Sequence, residues 1–423
     1  MSYKAHPLSA EASSAAFAGR SLSDPGLRQF LIEQKAEHGT WEVNRLALAA
    51  AYFHPDVTLA RAEADELLAA IKTAKQRPNP VFTFGPQYAS LHRTSITPWF
   101  LAGNVFYQIE TAGKRTRRTE QAMAAAEAAR WRISARAWAA RSRVRTAMLE
   151  LHSARENIRL LETEQKLHDE AIKKLTAQME AGDVSPFELT QARLALNRTR
   201  LALQDSQRLA ATGEAKLAAA VGVPLSALKS IALDFSGFTR LPAQSTSNSR
   251  RLALTQRADL MALLADYAAS ESALRLEYAK QYPDVRLGPG FDYNQGQNRW
   301  QLGVSFELPV NGNRGPIAQA EAKRKTAEAR FLAQQDTIQG ELNIALAAYE
   351  ASRKKSQTAA TLSQEAAAAA GTTKRMVDAG ELSPLELTRR QIEASTANLA
   401  RMAADIEAQT AAGALEDAMQ ARL

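Results

Sequence analysis

The chain has 423 residues, 45% of them hydrophobic and 23% charged, with a formal net charge of +8 and no cysteine. That balance excludes a disordered chain, and the lack of cysteine excludes disulfides and thiolate metal sites and fits an oxidising compartment. No apolar run reaches the roughly 18 residues of a membrane-spanning helix, and no apolar core follows Met1-Ser2-Tyr3-Lys4, so a signal peptide is not expected in this sequence. The excess charge is local: ten Lys or Arg lie between Lys114 and Arg145 against only Glu120 and Glu127. They scatter around a helix, and Trp131 and Trp138 are too few for a stacking surface, so nucleic acid is not expected as a partner.

Residues 1–40 carry Pro7, Gly19 and Pro25 and read as an irregular arm with one short helix near Pro25 to Gln34. A first repeat follows over 41–224. Helices are expected over 41–77, broken at His54-Pro55 and stopped by Pro78-Asn79-Pro80. Two strands are expected within 80–110. The first is short, Val81 to Gly85. On the second, Leu101, Gly103, Val105, Tyr107 and Ile109 share a face against Asn104, Gln108 and Glu110, with Phe106 out of pattern. A long hairpin over 114–222 comes next. Thr116 to Ala181 holds neither proline nor glycine over 66 residues, which as one helix would run about 99 Å. The returning arm starts at Pro186 and stops at Gly222 and Pro224. On it Leu189, Leu196 and Leu203 recur at heptad spacing, opposite Ile158, Leu161, Ile172, Leu175 and Met179. Gln165 and His168 occupy two places where that seam wants apolar residues.

Residues 225–250, rich in Ser, Thr and Pro, form a linker. A second repeat covers 251–423, with a helix over 251–281, strands over 284–310 and a hairpin over 316–419. Its strands put Val285, Leu287, Pro289, Phe291 and Tyr293, then Trp300, Leu302, Val304, Phe306 and Leu308, on one aromatic-rich face. Arg286, Asp292, Gln301, Glu307 and several glycines take the other. The hairpin tips show the duplication most plainly. Met179–Thr190 reads MEAGDVSPFELT and Val377–Thr388 reads VDAGELSPLELT, identical at seven of twelve positions. Gly182 and Gly380 suit a left-handed residue just past a helix end. Ser185 and Ser383 are expected to cap the next helix, with Pro186 and Pro384 at its first position. Glu188 and Glu386 should close capping boxes. At the strand-to-helix turns, Gly113 aligns with Gly312.

Alternating apolar and polar faces suit a half-buried soluble sheet as well as a membrane barrel; the long helices favour the barrel. Leu287, Phe291, Tyr293, Trp300, Leu302 and Val304 are then the lipid-facing residues. Four strands cannot close a barrel, which needs about eight, and open edges in lipid would leave backbone groups unpaired. Copies must therefore pool strands. A trimer would supply twelve, with twelve long helices forming a tube. The expected fold is mainly α with a membrane β-barrel.

On this duplicated unit, the AG-x-x-SP-x-EL tips, the Arg77-Pro78-Asn79-Pro80 entry to the first strand and the Val221-Gly222-Val223-Pro224 helix end, the sequence resembles the TolC-like outer-membrane efflux proteins. The likeness covers nearly the whole chain. Its start, with Tyr3, Pro7, Leu8 and then Ser21-Leu22-Ser23-Asp24-Pro25, looks more like the heavy-metal and lipoprotein branches than like TolC itself. Relatives there often begin with a lipidated cysteine, which the first residues here do not contain.

The resemblance implies a homotrimeric channel-tunnel with its barrel in the outer membrane and its helices in the periplasm. It implies a periplasmic adaptor (membrane fusion protein) and an inner-membrane pump of the resistance-nodulation-division class. The adaptor would meet the tips at Gly182, Asp183, Ser185, Pro186, Gly380, Glu381, Ser383 and Pro384. Glu188, Asp378, Glu386 and Arg389 are gate candidates. Relatives often carry a carboxylate where Arg389 stands, so an Arg389–carboxylate bridge would replace an acidic ring. The rival readings are a periplasmic coiled-coil adaptor or scaffold, and an outer-membrane duct of a protein secretion system.

No catalytic constellation or phosphate loop appears, so neither enzymatic activity nor a cofactor is expected. The six histidines, at 6, 38, 54, 92, 152 and 168, show no metal-ligand spacing, and no metal site is expected. Lys114, Arg115, Arg117 and Arg118 crowd the start of a long helix, where positive charge is unfavourable. Lipid phosphates of the outer membrane would compensate it.

Overall fold

A computed structural model describes residues 4–36, 39–90, 97–242, 251, 253–294 and 296–423. The histidines at 38 and 92, Tyr3 and the end of the linker (243–250) lie outside these residues. The chain divides into two compact units, each drawn from both sequence repeats. One comprises Met1–Leu59, Ser134–Arg257 and Thr337–Leu423, the other Ala60–Ile133 and Ala258–Asp336.

The second unit holds an antiparallel sheet of β1 (Val81–Tyr88), β2 (Trp99–Ile109), β3 (Val285–Asn294) and β4 (Gln297–Phe306), in that order. β1 and β2 are longer at the loop end than the sequence pattern suggests, and Glu110, Glu307 and Leu308 fall beyond the strands. The pairing β2–β3 joins the two repeats, with Leu101 opposite Tyr293 and Tyr107 opposite Leu287. Directly paired residues share a face of the sheet. The register therefore collects Phe82, Phe84 and Tyr88, the β2 apolar set, Leu287, Phe291 and Tyr293, and Trp300, Leu302 and Val304 on one side. Phe106, out of pattern in the sequence, lies on the opposite face against Gly303, where an added Cβ would sit 3.0 Å from its ring. An aromatic ring there takes the place of the missing side chain.

The strands lead into α5 (Lys114–Glu180) and α9 (Arg314–Asp378) through two left-handed residues each, Ala112-Gly113 (φ 53 and 69) and Gly312-Asn313 (φ 55 and 54). The structural match is therefore Ala112 with Gly312 and Gly113 with Asn313, one residue off the glycine-to-glycine alignment. Asparagine tolerates this conformation nearly as glycine does, which hides the correspondence. Around the sheet's helical end pack α4 (Pro55–Lys75), α8 (Ala258–Ala279) and the first turns of α5 and α9. Leu274, Ile317 and Ala320 form a small core there, and Asn313 Nδ2 donates to Glu277 O at 2.7 Å.

The first unit holds α1 (Ala10–Ala18), α2 (Pro25–Glu33), α3 (Val43–Phe53), α6 (Pro186–Val221), α7 (Leu225–Lys229) and α10 (Pro384–Met419), with the remaining turns of α5 and α9. Helix α1, with every residue exposed, was not expected from the sequence. On α6 the buried seam is Leu189 and Leu196, then Thr199, Ser206 and Gly213, while Leu203 is only partly buried. The change from Leu to Thr, Ser and Gly narrows the packing. A Cβ on Gly213 would stand 3.4 Å from Leu151 Cα, so α5 and α6 approach more closely there than a leucine zipper allows. His168, in an expected apolar place, is buried beside Glu164, whose Oε1 accepts from Thr199 Oγ1 at 3.1 Å. Hydrogen bonds from His168 and Thr199 hold the Glu164 carboxyl below its ordinary range.

Further along the helices, Glu416 of α10 takes Arg141 Nη1 at 2.8 Å and lies 3.7 Å from Arg145 Nε, all three side chains at most 12% exposed. Asp417 accepts from Trp138 Nε1 at 3.0 Å and Ser142 Oγ at 2.5 Å. Removing one partner from such a group leaves buried charge uncompensated. Glu416→Ala is therefore expected to lower stability by about 3–5 kcal/mol, read as a shift of the urea midpoint in detergent; a midpoint unchanged from the parent would refute the assignment.

Candidate functional site: sheet faces, helix starts and hairpin tips

The apolar face of the sheet is bare within the chain. Trp300 is 80% exposed and Leu302 70%. Phe291, paired with Trp300 and 5.0 Å from it ring to ring, is half-buried, and so is Tyr293 opposite Leu101. Both β1 and β4 are sheet edges. Among the described residues no helix is long and apolar enough to cross a membrane.

The basic helix start is compensated from inside the chain, which corrects the expectation that lipid phosphates must do so. Lys114 Nζ donates to Asp284 Oδ1 and to Tyr282 O, both at 2.6 Å, and its side chain is 10% exposed. Arg118 reaches Glu110 at 2.6 Å and the carbonyls of Ala74 and Gln76 at 3.0 and 3.1 Å. Those carbonyls are at the end of α4, where the helix dipole favours a cation. Arg117 pairs with Glu120 one turn on, at 2.9 Å. Arg115 remains partly exposed.

Both tips close as anticipated in backbone geometry. Gly182 has φ 84 and Gly380 φ 81. Asp183 N donates to Gln178 O at 2.9 Å and Glu381 N to Met376 O at 2.8 Å, the six-to-one bond that satisfies the last carbonyls of a helix. The caps differ. The Ser383 hydroxyl accepts from Glu386 N at 3.3 Å, whereas Ser185 makes no side-chain cap. Neither glutamate spends its carboxylate on a capping box: Glu386 lies 3.2 Å from Arg390. Glu188 accepts from Arg389 Nη2 of the other hairpin at 3.2 Å. Asp183, Glu381 and Pro186 are exposed, and Asp378 stands at the end of α9.

Beneath the tips, Leu175, Leu189 and Leu385 bury against one another with Val184 and Ile392 beside them. Lys174 Nζ of α5 donates to Thr388 Oγ1 at 2.6 Å and to Pro384 O at 3.1 Å. Sequence reasoning missed this clamp, because nothing local marks a lysine whose partners sit over two hundred residues away. It ties the start of α10 to the first hairpin.

Three of the described histidines, His54, His152 and His168, are packed into the structure, whereas His6 is exposed. Burial keeps His54 and His152 below the ordinary imidazole value; His54 Nδ1 accepts from Asp56 N, and His152 stacks on Phe235 and Phe238. Among the described residues no three metal-ligating side chains come together.

This fold, an exposed apolar sheet whose strands lead into long helices, has counterparts among solved outer-membrane proteins. The chain is similar in fold to the outer membrane protein VceC of Vibrio cholerae, with TM-score 0.73 and 18% identity, covering 94% of this chain and 100% of that one. It is also similar to CusC, whose structures concern transmembrane channel formation, with TM-score 0.71 and 16% identity over 90% and 94% of the two chains. In sequence it is 23% identical over 340 residues to the cobalt-zinc-cadmium resistance protein CzcC of Cupriavidus metallidurans, 79% of each chain. Residues 48–223 match the family described as outer membrane efflux protein. The chain thus resembles the outer membrane efflux proteins in sequence over residues 48–223 and solved outer-membrane proteins in fold over nearly its whole length.

The unequal caps give a local test. Ser383→Ala should cost about 1 kcal/mol and speed amide exchange at Glu386, while Ser185→Ala should leave the matching Glu188 amide unchanged. Equal effects at both would mean that the two tips cap alike.

Proposed function

We propose that the chain is the outer-membrane channel-tunnel of a tripartite efflux system, a homotrimer that passively conducts cargo outward from a periplasmic adaptor and an inner-membrane pump of the resistance-nodulation-division class. The observation that carries this is the four-stranded sheet with two open edges and one bare apolar face. Three copies would bring twelve strands, enough to close a barrel. Leu287, Phe291, Tyr293, Trp300, Leu302 and Val304 then meet lipid. A second bare stripe supports self-association. Phe187, Leu194 and Leu201 recur at heptad spacing on the outer side of α6, and Leu362 and Met376 lie two heptads apart on α9, all exposed. Each repeat would contribute a strand pair and a hairpin, with 1–40 as an N-terminal arm and 225–250 as the linker between the repeats. The similarity to a cobalt-zinc-cadmium resistance protein supports metal ions as cargo; small organic molecules are the alternative.

The tips would meet the adaptor through Gly182, Asp183, Ser185, Pro186, Gly380, Glu381, Ser383 and Pro384. Arg389 and Glu188 form the latch between hairpins, with Asp378 and Glu386 nearby in sequence. Both latch side chains are about half exposed, so the bridge is worth about 0–1 kcal/mol. A latch that weak yields to modest binding energy from a docking partner.

In detergent, the protein should be trimeric by light scattering, and Leu302→Arg should weaken assembly by about 2–4 kcal/mol. A stable folded monomer would sink the barrel. Gly182→Val and Gly380→Val, which force a β-branched residue to positive φ, should insert normally yet lose adaptor cross-linking in cells at matched outer-membrane levels. Full cross-linking by both would reduce the tips to turns.

A further inference from the structure

The register that gathers the apolar residues also sorts the charges. On the opposite face, β1 and β2 place only uncharged residues, among them Thr83, Gln87, Asn104 and Gln108. The charged positions on this face are Arg286, Asp292 and Arg299. Asp292 and Arg299 are register partners, yet no ion pair within 4.0 Å joins them among the described residues. Arg299 instead donates to Gln297 at 3.3 Å. Arg286 is 54% exposed and only 3.9 Å from a fully open Glu307.

At the helical end of the same face lies a groove of about 1510 Å³, floored by Gln108, Arg286 and Ser305. Five cations line it, Lys114, Arg118, Lys280, Arg286 and Arg314, against the carboxylates of Glu110, Asp284 and Glu307. Three of the five are matched closely: Lys114 by Asp284, Arg118 by Glu110 and Lys280 by Glu277. Arg286 and Arg314 are the cations left to face the groove: Arg286 has only the loose, exposed contact with Glu307 at 3.9 Å, and Arg314 has no carboxylate within 4.0 Å among the described residues. From the strand face to the groove, the uncompensated charge is positive.

If three copies close a barrel, this polar face is its inner wall and the excess is repeated three times around the conduit. The inference rests on that channel reading. Charges on a wall act across roughly 10 Å at 0.1 M salt and raise the local concentration of the opposite ion. A duct for free divalent cations would be better served by carboxylates, of which the strands supply one, Asp292.

We propose that the sheet end of the conduit is anion-preferring, so that the wall favours cargo that is anionic or carried in anionic complexes over free divalent cations. Arg286 and Arg299 are the specificity-determining residues.

The test is reversal potential in planar lipid bilayers, with the purified full chain in a potassium chloride gradient near 0.1 M. The parent should pass chloride in preference to potassium, and the preference should fade as salt rises and screening shortens. Arg286→Gln/Arg299→Gln should lower the chloride-to-potassium ratio by about twofold or more, and Asp292→Asn should raise it. The tip charges are the same in every variant, so the shift reads the sheet alone. A potassium-preferring parent, or a ratio that the double variant leaves unmoved while it still conducts, overturns the proposal. Absence of any current from trimeric protein is a separate result: it removes the channel reading itself.

Discussion

A strand needs a hydrogen-bonding partner on each side, and within one chain β1 and β4 have a partner on one side only. In water the free side is hydrated; in hydrocarbon each unpaired group would cost several kcal/mol. The other features of the second unit follow from how that edge is used. The apolar face is continuous across all four strands, and the strand ends are anchored by Lys114 and Arg118 in bonds to Asp284, Glu110 and the end of α4. Those cations set where sheet becomes helix. Their pairing also explains why a basic run can open α5 at all.

The helical unit solves a different problem. Long helices need a seam that fits along its length, and a strict leucine repeat would hold α5 and α6 at one spacing. The seam here passes from Leu189 and Leu196 to Thr199, Ser206 and Gly213. Thr199, buried in this seam, pairs with Glu164, and Ser363, buried in that of the second hairpin, pairs with Asn398 at 2.6 Å. Larger buried charges gather at Arg141, Arg145 and Glu416. There breaking one partner is costly although the cluster itself adds little net stability.

The two tips are alike in sequence but not in their surroundings. Both turn through a left-handed glycine with the same backbone bonds. Beyond the backbone they diverge: Glu386 stays with its own helix, whereas Glu188 crosses to Arg389, and Lys174 clamps the start of α10 alone. At the tips, the second hairpin's returning helix is thus held to the first hairpin by a buried apolar cluster and by the contacts of Lys174 and Arg389. The exposed one is the weaker, and it is the contact that a docking partner would release first in the proposed channel.

Local periodicity made much of this legible in the sequence. Period two marked the strands and their faces, proline and glycine marked the hairpin ends, and the repeated twelve-residue tips marked the duplication, because each is a property of neighbouring residues on one element. The tertiary structure alone decided the matters that depend on residues far apart. It joined the repeats through β2 and β3, drew both compact units from both repeats, and gave Lys114 its partner at Asp284. It gave Arg389 its partner at Glu188 and left Ser185 without a cap where Ser383 has one. It also moved the strand-to-helix correspondence by one residue, since asparagine and glycine both accept a left-handed backbone. The physical reason is common to all of these: a periodic pattern says which side of an element is apolar, but a hydrogen bond needs two groups within about 3 Å, and that distance is set only when separate elements pack.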